Sequence, residues 1–512
     1  MDRDDDLTTR RAVINSYSTV ADLAPRKMPP QGAKTTQEPG SPLQEMPFTA
    51  PLAPLAFRSL AQTSTADKGG SATQQDTQPA QNYLLKVCRA LIMYGAPAHR
   101  LETYASSTAE ALGLQIQTFS LPGCMFVAFS DQPSGVHIIR SSSCLDLVKL
   151  HDTHTVYKSA IHRKISPVEA DARLEAIASR KGKYHLWLRI LAYGLGSAFF
   201  GPLSYNARPI DLPFIFILGC CVGFLELLVA PRSELYGYIF ETSAAILASF
   251  IGRALGTIAL GHGRDFCFSA ISQASIVMIL PGFTIANSAL ELQSKNIVSG
   301  AVRMVYGIIY TLFLAFGFIL GITIYGAIDP RATSALQCTQ PWPFWWQIAF
   351  VVPFTVCYMI VYQGELAQTP ATSLVTLAGW VVNYFASQRF GSVRSIPQAL
   401  GALTVGLLAN LHSRLGLGLA VVLMYPAIFV QVPGSLAASG GLTGGVAIAD
   451  KINNRLGSNN GTSTLPAIDT NALTAGYAMV EIAIGITVGL SVSALLVYPF
   501  RKPRGKSGLF SL

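Results

Sequence analysis

Two proline-glycine breaks carry the residues whose types and spacing could do chemistry. Ile279-Leu280-Pro281-Gly282-Phe283 and Val430-Gln431-Val432-Pro433-Gly434-Ser435 each interrupt an apolar run of membrane-spanning length and lead into small and hydroxyl-bearing residues. Proline removes a backbone donor and glycine relaxes the backbone, so a helix breaks there and leaves carbonyls and amides that need a partner. A single break also fits a turn where a helix leaves the bilayer. Breaks in corresponding positions of two halves point instead to a transporter's substrate site. Gln273, Ser275, Asn287 and Ser288 beside the first break, with Gln431 and Ser435 at the second, could bind a polar solute, and a half-helix N-terminus would offer free amides to its carboxylate. Ordinary interhelical hydrogen bonding is the competing account of these side chains.

Ionisable groups inside apolar runs are costly and face a bundle interior. Glu226 and Glu241 are the candidates for proton coupling, because desolvation favours the neutral form of a carboxylate. Arg253 follows Glu241 on the same run, but twelve residues at about 100° each put the two on different faces, so each needs another partner.

The elements that must position these groups follow from composition. Of 512 residues 50% are hydrophobic and 13% charged, which is membrane-protein composition. The net charge of +9 comes from cationic flanks rather than a basic surface, so no nucleic-acid partner is expected. Eight cysteines lack CxxC spacing, and no metal site or cofactor is expected.

Residues 1–80, rich in Pro, Gln, Ser and Thr, read as a disordered cytosolic tail. Residues 81–183 read as a small cytosolic α+β domain. It has a helix from Asn82 to Tyr94, a second from Ala98 to Leu112, short strands at 114–118, 124–129 and 136–140, and helices at 144–164 and 168–180. Within it His99, Arg100 and Glu102 cluster after a Gly-Ala-Pro turn, and His151-Asp152 with His154 and His162 lie on a later helix. Residues 184–330 and 331–512 read as two transmembrane halves, the second with a basic C-terminal tail. Together they hold about ten apolar segments near the roughly 20 residues needed to cross a bilayer. Five helices per half make the halves inverted, and basic flanks put both termini in the cytoplasm. In that topology Cys267 and Cys338 share the far side, where a disulfide is permitted, and the sequon at Asn460 lies outside, where it could be glycosylated.

Four stretches resemble the threonine/serine exporter family, in its fungal branch. They are Cys88 to Glu102, Leu121-Pro122-Gly123-Cys124-Met125, Ala230 to Tyr236 and Leu290 to Tyr306, and the resemblance covers roughly residues 82–503. It implies a cytosolic N-terminal domain fused to a ten-helix carrier whose bacterial relatives export threonine and serine on the proton gradient. The expected protein is thus a polytopic α-helical membrane protein, a multi-pass secondary carrier of small polar solutes such as threonine and serine, with the lipid bilayer as its other partner. The alternative is a membrane-anchored enzyme or sensor acting through the N-terminal domain. A channel is disfavoured, since no ring of like charges is visible.

Overall fold

The computed structural model describes residues 73–130, 135–142, 144–258, 266–336, 338, 342–390, 393, 395–431, 441–450 and 469–498. They belong to one compact unit, Gly70–Leu512.

Its first part is α+β. Helix α1 (Thr73–Met93) reaches further back than the apolar pattern alone indicates, and α2 (Ala98–Leu112) follows. Strands β1 (Ile116–Leu121), β2 (Cys124–Phe129) and β3 (Val136–Arg140) form an antiparallel sheet in sequence order. Leu121 pairs with Cys124, so Pro122-Gly123 is a two-residue hairpin turn, and Gly123 takes the φ of +73° that only glycine adopts cheaply. Met125, Val127 and Phe129 alternate inward along β2 against Tyr83, Leu84 and Val87 of α1. Helix α3 (Leu147–Ile161) is capped by the Asp146 side chain. Helix α4 (Pro167–Ser179) starts with Ser166 accepting from the Glu169 amide and proline in its first turn, a strong start signal.

The rest is helical. Helices α5 (Leu186–Ser204) and α6 (Leu212–Phe224) come first; α6 runs on through a π turn, Leu225–Val229, and a 3-10 turn, Ala230–Arg232. Pro231 has no amide to give Leu227, which accounts for the loosened turn before it. Helix α7 (Glu234–Thr257) is followed by the broken pair α8 (Phe268–Ser275) and α9 (Gly282–Gln293), then by the long α10 (Ile297–Ile328). Helices α11 (Phe344–Val361), α12 (Thr369–Arg389), α13 (Ser395–Arg414) and α14 (Ala420–Gln431) follow, then a helical stretch α15 at 441–450 and α16 (Asp469–Val497).

Among the described residues, 6 helices are long and apolar enough to cross a membrane, or 7 if Phe268–Ser275 and Val277–Gln293, bent by 46° relative to each other, count as one. Helices α12 and α13 fall short of that measure because Thr, Ser, Asn and Gln interrupt their apolar runs, and α14 has only 12 residues. The apolar surface is turned outward as lipid requires. Helix α10 exposes Ile309, Phe313 and Phe316 and buries Gly307, Gly317 and Gly321.

Those glycines set the packing. A Cβ added at Gly321 would stand 2.5 Å from the Ile246 carbonyl, so α10 lies backbone to backbone on α7 through Gly317 and Gly321. Helix α16 lies on α13 in the same way, where a Cβ at Gly489 would meet the Ala399 carbonyl at 2.2 Å and one at Gly485 the Ser395 carbonyl at 2.6 Å. Two shorter helical segments pack against the long helices. Helix α9 packs along α16, with Ser491 Oγ donating to Gln293 Oε1 at 2.6 Å, and α15 packs along α10, with Gly441 against Ala315 and Gly445 against Ile319.

Candidate functional site

The first break is built as its sequence dictates. Leu280, ahead of proline, is extended at φ −65° and ψ 135°, and α9 starts at Gly282 with no side-chain cap at its N-terminus. Its first amides therefore lack both an intrahelical and a side-chain acceptor. On the carbonyl side, Ile279 O loses its helical donor and accepts instead from Tyr310 Oη of α10 at 3.0 Å. Pro281 and Gly282 are buried, as are Gln273, Ser275, Asn287 and Ser288.

Three of these polar groups are already committed. Gln273 Nε2 donates to Ser269 Oγ at 2.7 Å, and Ser275 and Ser288 donate to the carbonyls of Ile271 and Ile285, each at 2.6 Å. That is the ordinary back-bonding of hydroxyls in helices. Gln431, at the end of α14, differs: it is 2% exposed, and neither its Nε2 nor its Oε1 has a partner among the described residues. It is wedged against Gly379 of α12 and Gly401 of α13, where any Cβ would collide with its amide. Pro433, Gly434, Ser435 and Asn460 lie outside the described residues.

The two candidate carboxylates share one electrostatic neighbour near the first break. Glu226, in the π turn, accepts from Tyr193 Oη of α5 at 2.5 Å. Glu226 and Glu241 are each within electrostatic reach of Tyr310, the hydroxyl that caps Ile279. Arg253 does not pair with Glu241; it donates to the Ile322 carbonyl at 2.9 Å and lies 3.7 Å from Asp450. Cys267 and Cys338 are joined by a disulfide, as their expected placement on one side permits.

At the opposite end of α9 the α+β part docks. Glu291, fully buried, accepts from the Ala98 amide at 3.0 Å and from Ser299 Oγ at 2.8 Å, and Arg303 stands 3.3 Å away. Tyr425 of α14 donates to the Gly95 carbonyl at 3.0 Å, and its ring meets Phe283 of α9 edge-on at 4.4 Å. The Gly-Ala-Pro turn thus rests on both broken regions. His99 is packed into this junction with neither ring nitrogen bonded among the described residues; burial, Arg100 and Arg303 pull its pKa down to about 3. Arg100 is buried, and Glu102 fastens α2 to the sheet by accepting from the Ser120 amide at 2.9 Å. So of the cluster His99, Arg100 and Glu102, only His99 is shown at the junction by a described interaction. Asp152 is held by Arg180 at 2.7 Å, and among the described residues no group of three or more His, Cys, Asp and Glu could hold a metal.

Sequence reasoning missed Tyr193, Tyr310, Tyr425 and Glu291. The one available signal for the tyrosines is the rule that a buried tyrosine hydroxyl needs a partner.

No solved structure matches the chain. The family model ThrE, described as "Putative threonine/serine exporter", matches residues 82–325. An uncharacterized protein of Schizosaccharomyces pombe is 45% identical over 441 residues, covering 85% of this chain and 57% of that one. Pheromone-regulated membrane protein 10 of Candida albicans is 43% identical over 85% of this chain and 40% of its own length. The Saccharomyces cerevisiae protein of that name is 40% identical, over 85% and 56%. The chain spans about half the length of the curated relatives it matches. It is a multi-pass membrane protein, similar over 85% of its length to the fungal pheromone-regulated membrane protein 10 proteins and, over residues 82–325, to the threonine/serine exporter family.

Proposed function

We propose that the protein is a secondary carrier of small polar solutes, with hydroxyl amino acids such as threonine and serine as the first candidates, built from two inverted five-helix halves. The observation that carries this reading is the reciprocal packing. Counting α5 to α10 as one half and α11 to α16 as the other, with each broken pair as one helix, the fifth helix of each half lies on the third through a Gly-x-x-x-Gly pair. The first lies on the second in both, and the second on the fourth. The segment after Pro281 packs on the last helix of the other half as well as on that of its own, and the stretch 441–450 packs on α10. A repeat of this kind supports alternating access about a site between the breaks.

In this reading the uncapped start of α9 takes the solute's carboxylate, the Gln431 amide takes its hydroxyl or ammonium, and Glu226, with Glu241 as second candidate, carries the coupled proton. Tyr425 touches the first turn of α9, and Gln431 is six residues further along α14, about 9 Å by helical rise. Both termini are cytoplasmic, and the Cys267–Cys338 bond supports an oxidising far side. Asn460 falls on that side. The α+β part is then a cytosolic element of the carrier, resting on α9 and α14.

Radiolabelled threonine and serine flux in proteoliposomes, with and without a pH gradient, tests the reading. Saturable, gradient-dependent flux with counterflow is expected; no flux of any amino acid under either condition sinks it. Glu226→Gln should abolish gradient-driven flux and spare exchange. If gradient-driven flux survives in both Glu226→Gln and Glu241→Gln, neither is the coupling group.

A further inference from the structure

Away from the breaks, a cleft of about 380 Å³ opens between α3 and the connection from α13 to α14. One wall presents His151, His154, Lys158, His162 and Lys164; the other is the turn from Ser413 to Leu419, bent at Gly416 with φ +77°. We propose that this cleft is a binding site for a phosphate-bearing small molecule, a phosphate ester of nucleotide or inositol-phosphate size.

The donors share one face because they recur at helical spacing. Steps of three, four and four residues separate His151, His154, Lys158 and His162, which aligns them along about 17 Å of helix. No carboxylate lines the cleft. The nearest acid on the helix, Asp152, is occupied by Arg180, and no ion pair joins Lys158 or Lys164 to an acid among the described residues. A row of cationic and N–H groups four residues apart disfavours the helix that bears it, and an anion lying along the row would offset that. The hydroxyls on this wall, Thr155 and Ser159, donate to backbone carbonyls of their own helix, which leaves the His and Lys nitrogens as the donors.

Two simpler accounts fall short. Cations in a last turn complement the helix dipole, which explains Lys158 and His162 but not His151, in the second turn from the start. His151 Nδ1 is buried with no partner among the described residues, a cost a ligand would remove. A metal needs its ligands within one coordination sphere, and these nitrogens are spread along three turns; no metal-holding group is found among the described residues. Size completes the argument. The volume exceeds what inorganic phosphate fills and lies in the range of small-molecule sites. A ligand here would bridge the α+β part to the turn that begins α14.

The test uses the full chain purified in detergent, with ATP and inositol hexakisphosphate as soluble probes, and phosphatidylcholine vesicles with or without phosphatidylinositol 4-phosphate. Saturable binding that weakens with salt is expected, together with a raised melting temperature in the soluble probe. The double variant Lys158→Gln, Lys164→Gln, both residues exposed, should bind about tenfold more weakly with unliganded melting unchanged, and Lys158→Arg alone should retain binding. Binding of the soluble probes assigns a metabolite, binding only to the phosphoinositide vesicles assigns a lipid headgroup, and either upholds the site. Absence of saturable binding to every probe, or equal binding by the double variant, overturns it.

Discussion

The break at Pro281 and the end of α14 treat their buried polar groups differently. Around the first, several are answered from within the protein: Tyr310 serves Ile279, Ser269 serves Gln273, and Ala98, Ser299 and Arg303 converge on Glu291, while Ser272 Oγ has no partner among the described residues. Approaching the second, Gln431 is buried with both amide atoms unanswered among the described residues. A satisfied polar group stabilises; an unsatisfied one costs about 1–3 kcal/mol and is retained only where something else uses it. The Pro281 region therefore anchors the α+β part through Glu291, while the Gln431 amide is a group that the proposed carrier would use.

Glu291→Ala should have the largest effect on stability, because it strands Arg303, Ser299 and the Ala98 amide together. About 3–5 kcal/mol is expected, seen as loss of monodisperse protein or a large fall in melting temperature. Glu291→Gln, which can still accept from Ala98, should lose less. Equal losses would mean that the carboxylate charge and not the docking geometry matters.

Next in size is a pH effect at the same junction. His99 titrates near 3 in the folded protein against an ordinary value of 6.5, so the folded state binds fewer protons. Its contribution is therefore complete above pH 6.5 and is lost as pH falls toward 3, amounting to about 2 kcal/mol at pH 5. His99→Gln should flatten the melting-temperature profile between pH 7 and pH 5; an unchanged slope would remove His99 from the account. Tyr310→Phe leaves Ile279 O without its donor and should cost about 1–2 kcal/mol by denaturant or thermal melting.

Gln431→Leu should have the smallest effect on stability, within about 1 kcal/mol of wild type or above it, because no described partner is lost. Its flux should nonetheless fall by about tenfold or more. A large stability loss with normal flux would reverse the contrast between the two regions.

How far the sequence reached depended on the range of each interaction. The span of α2 and the break at Pro281 are set by local backbone chemistry and were legible, whereas the first strand, read at 114–118, runs from Ile116 to Leu121 and so makes Pro122-Gly123 a two-residue turn. The disulfide was legible through topology, since a single topological argument put both cysteines on one side. Glu291 was not, because its partner amide belongs to Ala98, 193 residues earlier, and nothing local marks an anchor. The role of Gln431 was half legible: its polarity near Pro-Gly drew attention, but its lack of partners is a property of packing by α12 and α13. The marginal hydropathy of α12 and α13 has the same origin, since the hydroxyls of Thr372, Thr376 and Thr404 are satisfied by the preceding turn and need no water.

The Gly95–Ala98 turn imposes an order on biosynthesis. It leaves the ribosome early, yet its partners are Glu291 and Tyr425, the latter 330 residues later. At roughly 5–20 residues per second the nascent α+β part waits on the order of tens of seconds before that last partner is made. Until α9 and Arg303 have been made, the face around Ala98 and His99 has nothing to rest on. The Gly95 carbonyl is met only after α14 has been made, so a chain truncated before Tyr425 would hold this turn through Glu291 without its second anchor.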